Sequence, residues 1–348
     1  MSIKRKAVAL ISGGLDSMLA VRMVQEQDIE VEGINFFTGF CVEGHTHAIR
    51  NQDKKKKKRN NALWVAEELG IKLHIIDVIE EYKDVVINPK HGYGAHLNPC
   101  LDCKGFMVRK AEEWRVKNGF DFIITGEVVG QRRMSQTVKR MPIVVRESGA
   151  GNRLLRPLCA RKLEPTLPEQ EGWLDRNKLG NISGRSRKQQ IELTRQWDIK
   201  DYAQPAGGCC FLTNEQYAAK LSDLWASRGT REYELDDIML LKVGRHIRPN
   251  ADFKLIICRD DGENNFARGY KNRFVSMCSS SHDGPLALFD GKVSSENLML
   301  AARIVARYGK GKRALDVSVV VARPKQDEKQ ELRVAPMGAD ELPREWIL

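Results

Sequence analysis

The stretch Ser12-Gly13-Gly14-Leu15-Asp16-Ser17 constrains the chain more than any other. Before it runs Ala7-Val8-Ala9-Leu10-Ile11, an unbroken apolar segment that predicts a buried strand. After it, Leu19, Ala20, Met23 and Val24 recur at helical spacing. The motif is therefore a sharp strand-to-helix turn. Two glycines let backbone N–H groups approach a ligand closely, and a helix N-terminus favours negative charge. Ser12 and Ser17 add hydroxyl donors. Asp16 in such a place repels an anion unless a cation comes with it, which points to Mg²⁺ shared with phosphate. The bland alternative is a Ser/Gly turn capped by an Asp. No Gly-x-Gly-x-x-Gly occurs here, so the dinucleotide fingerprint is absent, and no Gly-Lys-Ser/Thr, so the usual P-loop is absent.

The stretch resembles the PP-loop of ATP pyrophosphatases, whose signature is SGGxDS. The resemblance implies a loop that holds the pyrophosphate of ATP while AMP is transferred to a substrate oxygen, activating a carbonyl for a nucleophile. It does not name the nucleophile.

At 348 residues the chain is long for one domain, and two are expected. It is 42% hydrophobic and 30% charged, the composition of a soluble globular protein, and no apolar run approaches the roughly 20 residues of a membrane span. Met-Ser-Ile-Lys-Arg-Lys leads into the first strand without a signal-like apolar segment, so a cytoplasmic location is expected. Eight cysteines in that setting argue for metal or sulfur chemistry rather than disulfides. The formal charge of +11 suggests a polyanionic partner.

Taken in order, residues 31–37 read as a second strand, and Asn35 to Thr38 are expected to line an adenine pocket. Cys41, His45 and His47 follow, in a spacing that fits no common zinc pattern and reads as a loop near the substrate. Lys54 to Lys58 and Arg59 are six consecutive cations, either a solvated run or an RNA phosphate contact, with Lys54, Lys56, Lys58 and Arg59 as candidates. A helix over 60–69 and a strand over 73–78 complete another unit. Alternating strands and helices predict a doubly wound, mostly parallel α/β sheet.

Asn98-Pro99 signals a helix start, and Phe106, Met107, Ala111 and Trp114 continue it. Cys100 and Cys103 then share one face. The helix dipole and Lys104 are expected to lower their pKa towards thiolate. A four-ligand zinc site needs two more donors, and no second Cys-x-x-Cys exists among Cys41, Cys159, Cys209, Cys210, Cys258 and Cys278. Residues 122–127 are a strand ending at Gly126, with the polar stretch 128–136 after it. Ser183-Gly184-Arg185-Ser186-Arg187 precedes a helix over 188–197, so Arg185 and Arg187 are placed to meet phosphate at a helix start. Gly207-Gly208-Cys209-Cys210 permits close backbone approach and an exposed thiol.

Residues 7–212 resemble the PP-loop tRNA thiolation enzymes, especially the 4-thiouridine synthetase type, with the 2-thiouridylases as cousins. The residues that carry this are 12–17, 98–104, 125–136, 183–187 and 207–209. A Cys-x-x-Cys with a distant third Cys is similar to the iron–sulfur-dependent members. By that resemblance Cys100, Cys103 and Cys209 hold a 4Fe–4S cluster with one open iron, and a persulfide on one of these cysteines is the competing route. Cys210 departs from a single-Cys pattern and leaves the third ligand open. Neither a rhodanese-like extension nor the N-terminal RNA-binding domain of longer synthetases is expected.

Beyond a helical linker over 213–236, residues 237–348 change character. Residues 239–246 are strand-like with a basic turn, 253–259 alternate as a strand, 297–308 form an amphipathic helix, and 315–322 a further strand. This small α+β domain resembles the NFACT-R type RNA-binding module, through Val243-Gly244-Arg245 and residues 258–264. Arg245 is its candidate RNA contact. Packing or dimerisation is the alternative role, and a homodimer is compatible with it.

The expectation is an ATP-dependent tRNA sulfurtransferase that forms thiouridine, 4-thiouridine favoured. ATP and Mg²⁺ would sit on Ser12, Gly13, Gly14, Asp16, Ser17, Asn35, Gly126 and Arg185, with Asp16, Cys100, Cys103 and Cys209 catalytic. The partners would be tRNA and a sulfur donor, either sulfide or a cysteine desulfurase persulfide. A PP-loop ligase with a nitrogen nucleophile and an RNA-binding protein with a degenerate nucleotide site are the rival classes. The cysteine triplet favours sulfur, and the intact SGGLDS disfavours degeneracy.

Overall fold

A computed structural model describes residues 4–42, 60–203, 209–324 and 329–348. His45, His47, Lys54, Lys56, Lys58, Arg59, Gly207 and Gly208 lie outside the described residues. The chain divides into two units, one running up to Thr213 and the other from Asn214 to Leu348.

The first unit alternates strands and helices: β1 (Lys6–Leu10), α1 (Leu15–Gln25), β2 (Glu30–Phe37), α2 (Asn61–Glu68), β3 (Leu73–Asp77), α3 (Ile79–Ile87), α4 (Cys100–Asn118), β4 (Phe122–Ile124), α5 (Met141–Ser148), β5 (Leu154–Leu155), α6 (Leu167–Gln170) and α7 (Lys188–Gln196). The sheet order is β3-β2-β1-β4-β5, every pairing parallel. Ala7 of β1 pairs with Val31 on one side and Phe122 on the other. β1 is central because Ala7, Val8 and Ala9 offer nothing polar to either face and are fully buried. Leu15, Leu19 and Val24 of α1 pack with Phe122 and Leu155 in the core beside it. The order reverses at β1, since β2 lies on one side and β4 on the other. That makes the space beyond the C-terminal ends of β1 and β4 the switch-point crevice, where open α/β sheets bind ligands.

The second unit holds α8 (Glu215–Arg228), α9 (Leu235–Leu240), β6 (Arg245–Ile247), β7 (Phe253–Ile257), α10 (Asp261–Arg268), β8 (Val275–Ser279), β9 (Ala287–Gly291), α11 (Ser295–Arg307), β10 (Val317–Ala322) and β11 (Lys329–Val334). Its sheet, β11-β10-β8-β9-β7-β6, is antiparallel throughout. Leu298, Ala301, Ala302 and Val305 of α11 cover it, meeting Phe253, Phe289 and Val319. Phe253 and Phe289 stack with centroids 4.8 Å apart. α8 packs within this unit: the Tyr217 hydroxyl donates to the Ile238 carbonyl at 3.0 Å.

Two expectations fail here. Residues 239–246 are not one strand. A capping box between Glu234 and Asp237 starts α9, so Met239 and Leu240 end a helix, and the strand begins only after Gly244 turns at φ +67°. A short apolar run cannot tell the two apart. β7 does not alternate: all five residues are buried, and Lys254 is neutralised at 3.4 Å by Asp223. Among the described residues, no helix is long and apolar enough to cross a membrane.

Candidate nucleotide and sulfur site

The turn after β1 opens with Gly13 at φ +76°, a conformation L side chains rarely adopt. Gly14 is the N-cap of α1, and the Ser17 hydroxyl donates back to its carbonyl at 2.8 Å. Gly126, two residues past β4, lies directly against this turn. A Cβ built there would sit 2.5 Å from the Ser17 nitrogen and 2.6 Å from the Asp16 carbonyl carbon. An approach this close needs glycine, and it locks the ends of β1 and β4 together at the switch point.

Asp16 is gripped from two further segments. Its Oδ2 accepts from Gln131 Nε2 at 2.6 Å, and its Oδ1 lies 3.5 Å from Gln190 Nε2. Gln190 also donates to Gln131 at 3.1 Å, and the Arg187 guanidinium stands 3.7 Å from Asp16. The 183–187 loop is held by a parallel bridge between Val129 and Ser183 and by the Gly184 N–H donating to Val129 at 2.7 Å. Of the two arginines expected to meet phosphate, Arg187 therefore turns into the site, whereas Arg185 is exposed with no partner at Asp16. Asn35 donates its side-chain amide to the Ile11 carbonyl at 2.7 Å, so it braces the end of β1.

Behind the turn, Glu127 and Arg156 form a buried ion pair at 3.0 Å, with 1% and 5% of their side chains exposed. Burial opposes the Glu127 charge, but Arg156 and Lys104 outweigh it and hold the pKa below the usual value. Among the described residues, Glu127 Oε1 and one Arg156 terminal nitrogen have no hydrogen-bond partner.

Five cysteines gather at the same edge. Cys100 is the first residue of α4, with its sulfur 3.9 Å from the Ser135 hydroxyl. Cys103 is one turn on and neighbours Tyr82 of α3, which is packed between Phe40 and Phe106. Residues 209–211 return antiparallel to 40–42: Phe211 N–H donates to Phe40 at 2.9 Å, and Cys41 and Cys210 face each other across the bridge. Cys209 is exposed, and Arg132 Nη1 donates to its sulfur at 3.5 Å. Gln131, the preceding residue, is the one that holds Asp16, so residues 131 and 132 link Cys209 to the turn.

The structure thus makes Cys100, Cys103 and Cys209 neighbours without gathering their sulfurs into one tight set, and adds Cys41 and Cys210. It reverses one expectation. Burial, followed by the neighbouring Cys209, pushes the Cys103 thiol up to about 12, and Lys104 does too little to offset them. Burial likewise pushes the Cys210 thiol up. Cys159 and Cys258 are buried core thiols.

Gln131 and Arg132 lay inside a stretch the sequence singled out. Gln190 and Tyr82 carried no signal, being ordinary residues in helices whose neighbours only the fold defines. Among the described residues, the group of three metal-ligating atoms within 4.8 Å of one another is His91, Asp102 and Glu147 rather than any cysteine set. Glu147 is already bonded there by Lys90 at 2.9 Å and His91 at 3.0 Å, and Asp102 accepts the His91 N–H.

The first unit is a doubly wound, parallel α/β domain with a glycine turn at its switch point. Residues 5–147 match the family described as tRNA methyl transferase HUP domain, and residues 244–347 match the NFACT protein RNA binding domain. Among curated proteins, the chain is 31% identical over 114 residues to the tRNA-specific 2-thiouridylase of Mesoplasma florum, covering 30% of each. It is 30% identical over 156 residues to a probable tRNA sulfurtransferase of Alkaliphilus oremlandii, covering 44% of this chain and 36% of that one. The chain spans about a third of the length of the first of these relatives. A solved 4-thiouridine synthetase–RNA complex with bound ATP is 20% identical with a TM-score of 0.33, covering 56% of this chain and 52% of that one, a likeness too slight to weigh.

Proposed function

We propose that this chain is an ATP-dependent tRNA sulfurtransferase that makes thiouridine, with 4-thiouridine favoured. The uridine carbonyl oxygen attacks the α-phosphorus of ATP and pyrophosphate leaves. A sulfur nucleophile then attacks the activated ring carbon and AMP leaves with the former carbonyl oxygen. The observation that supports this reading best is that adjacent residues reach both parts of the site: Gln131 donates to Asp16 of the glycine turn at 2.6 Å, and Arg132 donates to the Cys209 sulfur at 3.5 Å.

In this reading Gly13, Gly14 and Ser17 offer backbone and hydroxyl donors to the pyrophosphate. Asp16 shares Mg²⁺ with phosphate oxygens, a donor set that fits because Mg²⁺ takes one or two carboxylates and completes its sphere with phosphate and water. Arg187 faces the same anion from the α7 start. Gln131 and Gln190 keep the Asp16 carboxylate aimed.

Cys100, Cys103 and Cys209 would hold a 4Fe–4S cluster. Their sulfurs are not gathered within the 4.8 Å of a common group, whereas a single tetrahedral zinc at about 2.3 Å from each sulfur needs them about 3.8 Å apart. A cluster gives each cysteine its own iron, so wider spacing suits it. When bound, it supplies an iron without a protein ligand that can carry sulfide. Cys103 and Cys210 stay protonated when no metal is bound, because burial and neighbouring thiols oppose their charge. This disfavours either as a free persulfide-forming thiolate. The sulfur donor is sulfide or a cysteine desulfurase persulfide, and the chain works as monomer or homodimer in a cytoplasmic setting.

The test pairs two measurements. Asp16→Ala and Ser17→Ala should abolish tRNA-dependent pyrophosphate release while leaving thermal unfolding close to wild type. Nucleoside mass spectrometry of tRNA incubated with wild type, ATP and a sulfide source should show a thiouridine. Unchanged pyrophosphate release in both variants sinks the assignment.

A further inference from the structure

We propose that RNA docks on a face of the second unit formed by two interlocked loops, 280–284 and 308–316, together with Arg245. This rests on the tRNA reading above and says where on the domain the nucleic acid sits.

α11 ends at Arg307, and Tyr308 caps it. The chain then folds tightly onto the turn after β8. The Lys310 N–H donates to the Asp283 carbonyl at 2.7 Å, and the Lys310 ammonium reaches the Asp283 carboxylate at 2.8 Å. A Cβ on Gly311 would sit 2.8 Å from the His282 ring and 2.8 Å from Val317, so the loop has no room to be anything but glycine there. Ser281 Oγ accepts from Ser318 N–H at 3.0 Å, and His282 N–H donates to Ser279 at 3.1 Å. The two loops are one braced piece, so side chains on them are presented in fixed positions.

That piece is unbalanced in charge and in polarity. Asp283 neutralises Lys310, and Arg333 neutralises Asp316 at 2.6 Å. Arg245, Lys312 and Arg313 are exposed, and among the described residues none has a carboxylate within 4.0 Å. Arg245 lies over the Tyr308 ring with its guanidinium carbon 5.3 Å from the centroid, which makes it continuous with the loop. Leu315, near the end of the loop, is 95% exposed, the most exposed large hydrophobic among the described residues. One exposed leucine signifies nothing alone. Beside three unpaired cations and an aromatic ring already under a guanidinium, it matches what RNA offers: phosphates for the cations and the face of an unstacked base for the apolar tip.

The full chain binding unmodified tRNA is measured by fluorescence anisotropy from 50 to 200 mM KCl. Arg245→Gln, Lys312→Gln and Arg313→Gln combined should weaken binding at low salt about ten- to a hundredfold. They should flatten the slope of log K against log salt by about 2 to 3, at ~0.9 for each phosphate that is no longer neutralised. Leu315→Ala should weaken binding roughly threefold and leave the slope unchanged, since an apolar side chain releases no counterion. Lys271→Gln, an exposed cation on another part of the unit, should change neither. If wild type binds and the triple variant keeps its affinity and slope, the proposal is overturned and these loops belong to a protein partner. If wild type itself binds no tRNA at low salt, the tRNA reading fails first.

Discussion

Gly126 is where the fold and the candidate site can be tested against each other. In Gly126→Ala the new methyl carbon would lie 2.5 Å from the Ser17 nitrogen and 2.6 Å from the Asp16 carbonyl carbon and oxygen. Ordinary carbon contacts lie near ~3.5 Å, so the overlap is about 1 Å. All three atoms are backbone, so no side-chain rotation relieves it. Either the segment after β4 retreats or the glycine turn does. Overpacking of this kind costs about 1–3 kcal/mol, which for a unit of this size lowers the melting temperature by about 2–12 °C. A 1 Å displacement of groups that position a reacting phosphate costs about 10²-fold in turnover. Gly14→Ala separates the two effects. Gly14 sits at φ −87° and ψ 159°, which alanine adopts freely, and its added Cβ meets nothing nearer than Ser12 Oγ at 3.5 Å. Gly14→Ala should melt like wild type yet lose ATP affinity, because the methyl occupies the space the phosphate approaches. Calorimetry and pyrophosphate release on both variants decide it. A Gly126→Ala protein with wild-type melting and wild-type turnover would refute the close-packing argument. A Gly14→Ala protein with full ATP affinity would remove the phosphate from this turn.

Three further outcomes are expected. Anaerobically purified protein should carry iron and a broad visible absorption, lost alike in Cys100→Ala, Cys103→Ala and Cys209→Ala and kept in Cys210→Ala; colourless, iron-free protein that still thiolates tRNA would exclude the cluster. Arg132→Gln should leave iron content intact but slow thiolation more than pyrophosphate release, because Arg132 donates to the Cys209 sulfur; equal losses in both steps would place it in nucleotide binding alone. Glu147 is held at about 2, chiefly by its hydrogen bond to Lys90 and then by His91, so its contribution is complete above the ordinary carboxylate pKa and is lost as pH falls through about 2. Glu147→Gln should therefore be less stable than wild type at pH 7, with the two stability curves converging between about pH 4.5 and 2, and curves that stay parallel would disprove the coupling.

The sequence alone determined what depends on neighbours along the chain. The apolar run 7–11, the glycines at 13 and 14 and the helical spacing after them specify a strand, a tight turn and a helix without reference to anything distant. Asn98-Pro99 likewise starts α4 at Cys100, and strand–helix alternation leads to the parallel sheet. Composition, read against the cysteine spacing, directed attention to sulfur. Tertiary structure decided what depends on which segments meet. Local pattern could not say that Arg187 turns towards Asp16 while Arg185 faces solvent, because both sit at the same helix start and Asp16 is brought there only by the fold. It could not show that the Cys103 thiol is pushed up, since the helix start and Lys104 favour thiolate and the opposing causes are burial in the fold and Cys209, 106 residues along the chain. Nor could it separate the end of α9 from the start of β6, where a short apolar run is shared by a helix and a strand and the capping box on Glu234 and Asp237 settles the boundary. Local propensity is written into consecutive residues, whereas electrostatics and burial are sums over atoms that only the folded chain brings within reach.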